Sequence, residues 1–276
     1  MNRHQEMRAP EQQGMPILGL GTWENTDPDT CRRSVQTALE MGYRHIDTAQ
    51  IYRNEEYVGN GIANATVDRD EIFLATKVWK SNLAYQDVLE STQDSLERLD
   101  VEYIDLLYIH WPAEAYDPDE TLQALAELKD QGAIKHIGVS NFEITNLETA
   151  RDILGEDIFA NQIELHPYLP QPELRDYCNE HDIEVVAYSP LARGEVLSDD
   201  TIQEIAVKHD VSPAQVALAW IRDLGVTAIP KASSDEHIRD NWQSLQCNLD
   251  ETDKSAISDD IQKRTRKVDP DWAPWR

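Results

Sequence analysis

The chain has 276 residues, with 25 Lys+Arg against 52 Asp+Glu, a formal net charge of -27 and 40% hydrophobic content. That much apolar material builds a core and excludes a disordered acidic tail, and the length suits one α/β barrel of roughly 200–250 residues or two ordinary domains. The acidity excludes DNA, RNA and anionic lipid as partners, because polyanions require compensating Lys and Arg.

In chain order, the opening MNRHQEMRAPEQQG lacks a signal-peptide core, and no apolar run approaches the roughly 18 residues of a membrane span, so a cytoplasmic protein is expected. Residues 1–20 read as a terminal hairpin, with Gly19-Leu20-Gly21 placed before the first barrel strand. Pro28–Met41 is an amphipathic helix with a Thr26/Asp27 cap before it and Gly42 after it. Strands rich in β-branched residues are expected at Arg44–Ala49, Ile72–Trp79, Tyr103–Trp111, Ala133–Ser140, Ile158–His166, Glu184–Ser189 and Val226–Lys231, with Ser244–Leu249 as the eighth. Helical spacing recurs at Tyr85–Leu99 and Thr121–Asp130, and Ser212-Pro213 opens a helix running to Asp223. Residues 265–276 form a tail.

A βα unit repeating about every 30 residues, eight times, is the signature of a single-domain (β/α)8 TIM barrel, with the N-terminal hairpin plugging its floor. A doubly wound sheet would stop at five or six strands and would carry GxGxxG after its first strand. Gly19-Leu20-Gly21 and Gly59-Asn60-Gly61 do not supply it. Cys31, Cys178 and Cys247 form no CxxC pair, which gives no zinc signature and fits a reducing compartment.

Barrels keep their chemistry at the C-terminal ends of the strands. Those ends carry Asp47, Lys77, His110, Ser140-Asn141, Gln162, Tyr188-Ser189 and Lys231, and Tyr52 follows Asp47 closely. A purely structural barrel has little reason to put polar groups at nearly every strand mouth. Alone, each has an ordinary explanation: a helix cap, a satisfied polar side chain, a packed ring.

Together the motifs MPILGLGTW (15–23), GYRHIDTAQIYRNEEYVG (42–59), ATKVW (75–79), ERLDVEYIDLLYIHWP (97–112), GVSNF (138–142), NQIELHPYLPQPEL (161–174), YSPLARG (188–194) and SPAQVALAW with AIPKASS (212–234) resemble the aldo-keto reductases over almost the whole chain. The shorter prokaryotic diketogluconate and methylglyoxal-type reductases are the most similar, down to the ending VDPDWAP. The resemblance implies a catalytic tetrad of Asp47, Tyr52, Lys77 and His110. Tyr52 would donate the proton, Lys77 would lower its pKa, Asp47 would anchor Lys77, and His110 would orient the substrate carbonyl. It further implies Ser140, Asn141 and Gln162 on the nicotinamide carboxamide and Tyr188 stacked on its ring. Ser189 and Leu191 would meet the pyrophosphate, and Thr22 and Asp47 the ribose side. Lys231, Ser233, Ser234 and the position of His237 would face the adenosine 2′-phosphate, with Asn241 near the adenine.

The family reads K-S-x-T-x-x-R in that loop, whereas this chain has Ala232 at the first serine and His237 at the arginine. An always-charged clamp is replaced by an imidazole, a group type only partly protonated near neutral pH. NADPH remains the expected cofactor, with a reduced margin over NADH. Trp23, Trp79 and Trp111 are expected around the substrate, a small carbonyl compound, and Trp272 and Trp275 either close the pocket or dock the tail. His166 is expected to be structural, no metal is expected, and a monomer is the default. The rival readings are a non-catalytic cofactor-sensing subunit of the same fold and a metal-dependent barrel lyase. The dispersed, Lys-poor acidity exceeds the magnitude of about 2–8 useful for solubility in small domains, and points to a protein adapted to concentrated intracellular salt.

Overall fold

The computed structural model describes residues 8–276; residues 1–7 of the expected terminal hairpin lie outside the described residues. Within them, β1 (Glu11–Gln12) and β2 (Met15–Pro16) pair antiparallel, Gln12 opposite Met15. Then follow β3 (Leu20–Gly21), α1 (Pro28–Met41), β4 (His45–Asp47), α2 (Glu55–Asn64), β5 (Phe73–Val78), α3 (Tyr85–Leu99), β6 (Ile104–Ile109) and α4 (Pro118–Asp130). The second half adds β7 (Ile134–Ser140), α5 (Ile144–Leu154), β8 (Ile158–Glu164), α6 (Pro172–Glu180), β9 (Glu184–Tyr188), α7 (Asp200–His209), α8 (Pro213–Asp223), β10 (Thr227–Ala228), α9 (Asp235–Gln243) and α10 (Glu251–Ser255).

Strands β3 to β10 form one parallel eight-stranded sheet in sequence order. Its two edges meet through parallel bridges Leu18–Ala228 and Gly21–Lys231, with Gly19 N–H donating to the Ala228 carbonyl at 2.9 Å and Gly21 N–H to that of Pro230 at 3.1 Å. The expected (β/α)8 barrel is therefore present, but two expectations about its edges are corrected. The first strand is Leu20–Gly21 itself, inside the glycine pair rather than after it. The approach is so close that a Cβ on Gly21 would stand 2.6 Å from the Ile229 carbonyl oxygen. Ser244–Leu249 is not a strand: Ser244–Gln246 is a 3-10 turn. Arg222 of α8 donates to the carbonyls of Ser244 at 3.0 Å and Cys247 at 2.8 Å, occupying groups that a sheet ladder would need.

Strand alternation splits the apolar residues into two cores. Leu74, Val78, Leu107, Ile109, Ile137, Val139 and Ile163 face outward and join the large cluster beneath the helices. Phe73, Ala75, Leu106, Tyr108, Ala160 and Val186 face inward, with Phe159 and Ile229 completing the inner cluster, and Met15 of the hairpin enters that cluster fully buried. The hairpin therefore fills the barrel floor, leaving the chemistry to the opposite end. Among the described residues, no helix is long and apolar enough to cross a membrane.

Candidate active site

The inward sets continue past the apolar layer into polar residues: Lys77 after Ala75, His110 after Tyr108, Ser140 after Gly138, and Gln162 after Ala160. Registers put them side by side, with Lys77 opposite Tyr108 and Ser140 opposite Gln162. Gly138 is required beneath Ser140, because a Cβ there would meet the Tyr108 ring at 2.5 Å. The mouth above this layer is a cavity of about 980 Å³.

At its base Lys77 Nζ, with no solvent exposure, donates to Asp47 Oδ1 at 2.5 Å and to the Thr48 carbonyl at 2.7 Å. The other carboxylate oxygen of Asp47 accepts from Gln162 Nε2 at 2.8 Å. A buried charge pair of this kind survives only with its remaining hydrogen-bonding capacity filled. The ring of Tyr52 lies with its centroid 5.1 Å from Lys77 Nζ and 5.8 Å from the His110 ring, edge to face. The tetrad expected from sequence thus converges on one place.

Burial pushes the Tyr52 phenol well above its ordinary range, and the negative charge of Asp47 adds to that. The net direction is set by burial and the Asp47 charge, while Lys77 Nζ, 5.1 Å from the ring centroid, donates to Asp47 and the Thr48 carbonyl. Burial also lowers the Lys77 pKa, opposed by Asp47. Burial, reinforced by Lys77, holds His110 well below the usual imidazole range, so it is neutral at pH 7. His110 Nδ1 has no hydrogen-bond partner among the described residues.

The remaining groups form a ring around this base. Ser140 Oγ donates to the Gln162 carbonyl at 2.8 Å, Asn141 Nδ2 to the His110 carbonyl at 3.0 Å, and Tyr188 Oη to Asn141 Oδ1 at 2.7 Å. Thr22 Oγ1 donates to the Asp47 carbonyl at 3.0 Å. Asn54, fully buried and not singled out from sequence, ties Thr22, Asn25 and Thr48 together with bonds of 2.8–3.1 Å. Ser189, Leu191 and Lys231 line the cavity, as do Trp23, Trp79 and Trp111. The Trp79 ring meets His110 edge-on at 5.2 Å.

Four expected cofactor residues stand apart from the cavity lining. Ser233, Ser234, His237 and Asn241 lie beyond Lys231, on the loop into α9 and on α9 itself. Ser234 Oγ caps that helix by accepting from His237 N–H at 3.2 Å, and the His237 side chain is exposed. Asp240, which pairs with Asn241 in sequence, has both oxygens occupied by Ser212 at 2.7 Å and Gln215 at 2.6 Å.

The tail also lines the cavity, through Lys267, through Val268 and Asp269 of the VDPDWAP ending, and through Trp272. Trp272 lies under Lys80 Nζ at 4.3 Å, whereas Trp275 packs on Trp111 at 5.6 Å, docking the chain end. Arg193 also lines the cavity, its guanidinium 4.9 Å from the Trp23 ring centroid. His166 is fully buried with Nε2 at 2.9 Å from Glu164. Among the described residues, no group of three His, Cys, Asp or Glu is placed to hold a metal ion.

The family model described as the aldo/keto reductase family matches residues 17–261. Methylglyoxal reductase DkgB of Salmonella typhi is 43% identical over 247 residues, which cover 88% of this chain and 92% of that protein. Glyoxal reductase of Bacillus subtilis is 40% identical over 256 residues, 93% of this chain and 92% of that one. Among solved structures, the aldo/keto reductase of Brucella melitensis superposes with a TM-score of 0.84 at 42% identity, covering 88% of this chain and 94% of its own. On the matched span, and with the strand-mouth residues gathered at one cavity, the chain belongs to the aldo/keto reductase family.

Proposed function

We propose that the protein reduces aldehydes and activated ketones to alcohols with NADPH, and that short 2-oxoaldehydes of the methylglyoxal and glyoxal kind are among its substrates. The observation that carries this reading is the convergence of Tyr52, His110 and the buried Lys77–Asp47 pair at the base of one open cavity. The names of the two bacterial relatives support the substrate class.

The cavity suits a nicotinamide cofactor. Its polar layer offers the neutral donors and acceptors of Ser140, Asn141 and Gln162, Tyr188 stands beside them, and Lys231 and Arg193 bring positive charge to the mouth. When bound, the nicotinamide supplies a hydride. Tyr52 keeps its proton at neutral pH and is the donor to the alkoxide that develops on the substrate. Lys77 stabilises the phenolate left behind, and Asp47 keeps that ammonium in place and charged. Neutral His110 presents an N–H to the carbonyl oxygen without adding a competing full charge. Trp79 and Trp111 limit water at the reacting carbon. Lys231, Ser233, Ser234, His237 and Asn241 serve the adenosine end, with NADPH preferred over NADH by a reduced margin. The setting is a reducing, salt-rich cell interior, and the working form is a monomer.

The test is NADPH and NADH oxidation, followed at 340 nm in molar KCl, with methylglyoxal, glyoxal and a panel of keto-sugars. Turnover with a 2-oxoaldehyde supports the reading. Tight cofactor binding without turnover of any carbonyl would replace it with a cofactor-sensing role, and activity only on addition of a divalent metal would favour a lyase.

A further inference from the structure

Glu164 ends β8 and faces inward, the next inward residue after Gln162. Its side chain has no solvent exposure, so its carboxylate must be satisfied by protein donors. One set comes from the barrel. His166, equally buried, brings Nε2 to 2.9 Å from Oε1, while His166 Nδ1 has no partner among the described residues. The proton therefore belongs on Nε2, where it donates to the carboxylate.

The other set comes from the far end of the chain. The backbone N–H of Lys267 donates to Oε1 at 2.5 Å and that of Val268 to Oε2 at 2.9 Å. Both residues line the cavity. Beyond them the chain reaches Trp272, which also lines it and shares Lys80 with Trp79, the ring that abuts His110. The tail wall therefore stands at the His110 end, where a substrate carbonyl would lie. Further ties are Thr265 N–H to the Tyr168 carbonyl at 3.1 Å, Lys267 Nζ to Glu195 at 2.6 Å and the Trp275 ring on Trp111 at 5.6 Å.

We propose that Glu164, oriented by His166, is a positioning residue that clamps the backbone of residues 267 and 268, so that the C-terminal tail forms a fixed wall of the substrate site and sets the size of carbonyl compound admitted. The clamp acts on main-chain N–H groups, so it holds the tail whatever side chains the tail carries. Its effect on selectivity rests on the carbonyl-reductase reading; the clamp itself does not.

Two readouts separate these. Chymotrypsin cleavage after Trp272, followed by mass spectrometry, reports the tail independently of activity. Losing one charge-assisted hydrogen bond should raise cleavage there by about tenfold in Glu164→Gln, with the rest of the chain as resistant as before. In Val268→Pro, which removes a donor from the tail side and leaves the barrel interior intact, the same rise is expected. The double variant should be no worse than the more affected single one, because both break the same contact. In the holoenzyme, KM for a bulky aromatic aldehyde should change by about tenfold relative to methylglyoxal, with kcat changing far less. Equal cleavage in wild type and both single variants overturns the clamp, as does strict additivity in the double variant. Faster cleavage with an unchanged ratio of KM values overturns the role in selectivity. No turnover by any form, with faster cleavage retained, would leave the clamp standing and reject the reductase reading.

Discussion

As the proposed proton donor, Tyr52 needs its proton before the reaction and a cation near the oxygen that gives it up. A phenol in water has a pKa near 10, and here burial first, then Asp47, push it higher. The proton is therefore in place throughout the neutral range, and the ammonium of Lys77 matters at the moment charge develops on the ring oxygen. Tyr52→Phe removes the proton and little else. Turnover should fall by roughly 10²–10⁴-fold, while cofactor affinity, read by quenching of tryptophan fluorescence, changes by less than about threefold. Near-normal turnover would remove Tyr52 from the mechanism. At the other end of the proposed cofactor site, exposed His237 follows Asp235 and Glu236 in the first turn of α9, where two carboxylates oppose a phosphate. His237→Arg adds a charge-assisted, bidentate donor there. Because the position is solvent-exposed, the gain is discounted to about three- to tenfold in NADPH Kd, with NADH unchanged. Titrations of both cofactors that shift together would refute the clamp argument.

The elements that bring these residues together differ in how openly the sequence announces them. The hairpin β1–β2 contributes Met15, fully buried among Phe73, Leu106, Phe159 and Val186. Met15→Ala should cost about 2–5 kcal/mol of stability by leaving a void in the barrel floor. It should leave kcat at saturating substrate within about twofold, since the cavity opens at the opposite end; a urea melt and a rate measurement in the same salt check both halves. Helices with strong end signals were legible to the residue. Asp27 caps α1 by accepting from Thr30 N–H at 2.9 Å, and Ser212 caps α8 by accepting from Gln215 N–H at 3.1 Å. For α4, hydrophobic spacing alone suggested a start at Thr121, but Asp117 accepts from Glu120 N–H at 3.1 Å and adds a turn beginning at Pro118. Strand β3 has no sequence signal, because two residues, one of them a glycine, carry no periodicity, whereas Leu245, Cys247 and Leu249 alternate like a strand without being one. The tetrad was legible because it consists of side chains in dense motifs. The tail was legible in part, through VDPDWAP and Trp272, but its contact with Glu164 was not, because that contact is made to main-chain N–H groups that any residue but proline supplies.

Across the whole molecule the balance of -27 sets how stability responds to solvent. Several of the few cations are shared between carboxylates or doubled on one. Lys208 bridges Asp250 at 2.6 Å and Asp253 at 2.8 Å, and Lys263 and Lys267 both meet Glu195, at 2.7 and 2.6 Å. Hydrogen bonds from Lys263 and Lys267 pull the Glu195 carboxyl down to about 2, and Lys208 does the same to Asp250. A carboxylate lowered on folding stabilises above its unfolded pKa near 4 and loses that contribution as pH falls toward 2, so these pairs are intact at pH 5 and pH 7 alike. Asp253 is buried, but Lys208, Asp250, Lys263 and Glu195 are exposed, so these pairs are individually weak and partly screened by salt. With a net charge of -27, repulsion among the remaining carboxylates is expected to outweigh these pairs in dilute buffer. A folded chain of this length has a radius of gyration of about 19 Å, while the Debye length is about 30 Å at 0.01 M and about 3 Å at 1 M. Each carboxylate therefore interacts with charges across the molecule in dilute buffer and only with its neighbours in molar salt. We expect Tm at pH 7 to rise steadily from 0.05 to 2 M KCl. Lowering the pH to 5 in dilute buffer should move Tm the same way, by protonating roughly a tenth of the carboxylates while the lowered pairs stay ionised. A specific salt-binding site would reproduce the first trend without the second. A Tm in dilute buffer at pH 7 equal to that in molar salt would make the acidity incidental to stability. If both trends hold, the charge that argues against a nucleic-acid partner also bears on the solvent in which the proposed anionic cofactor approaches this site.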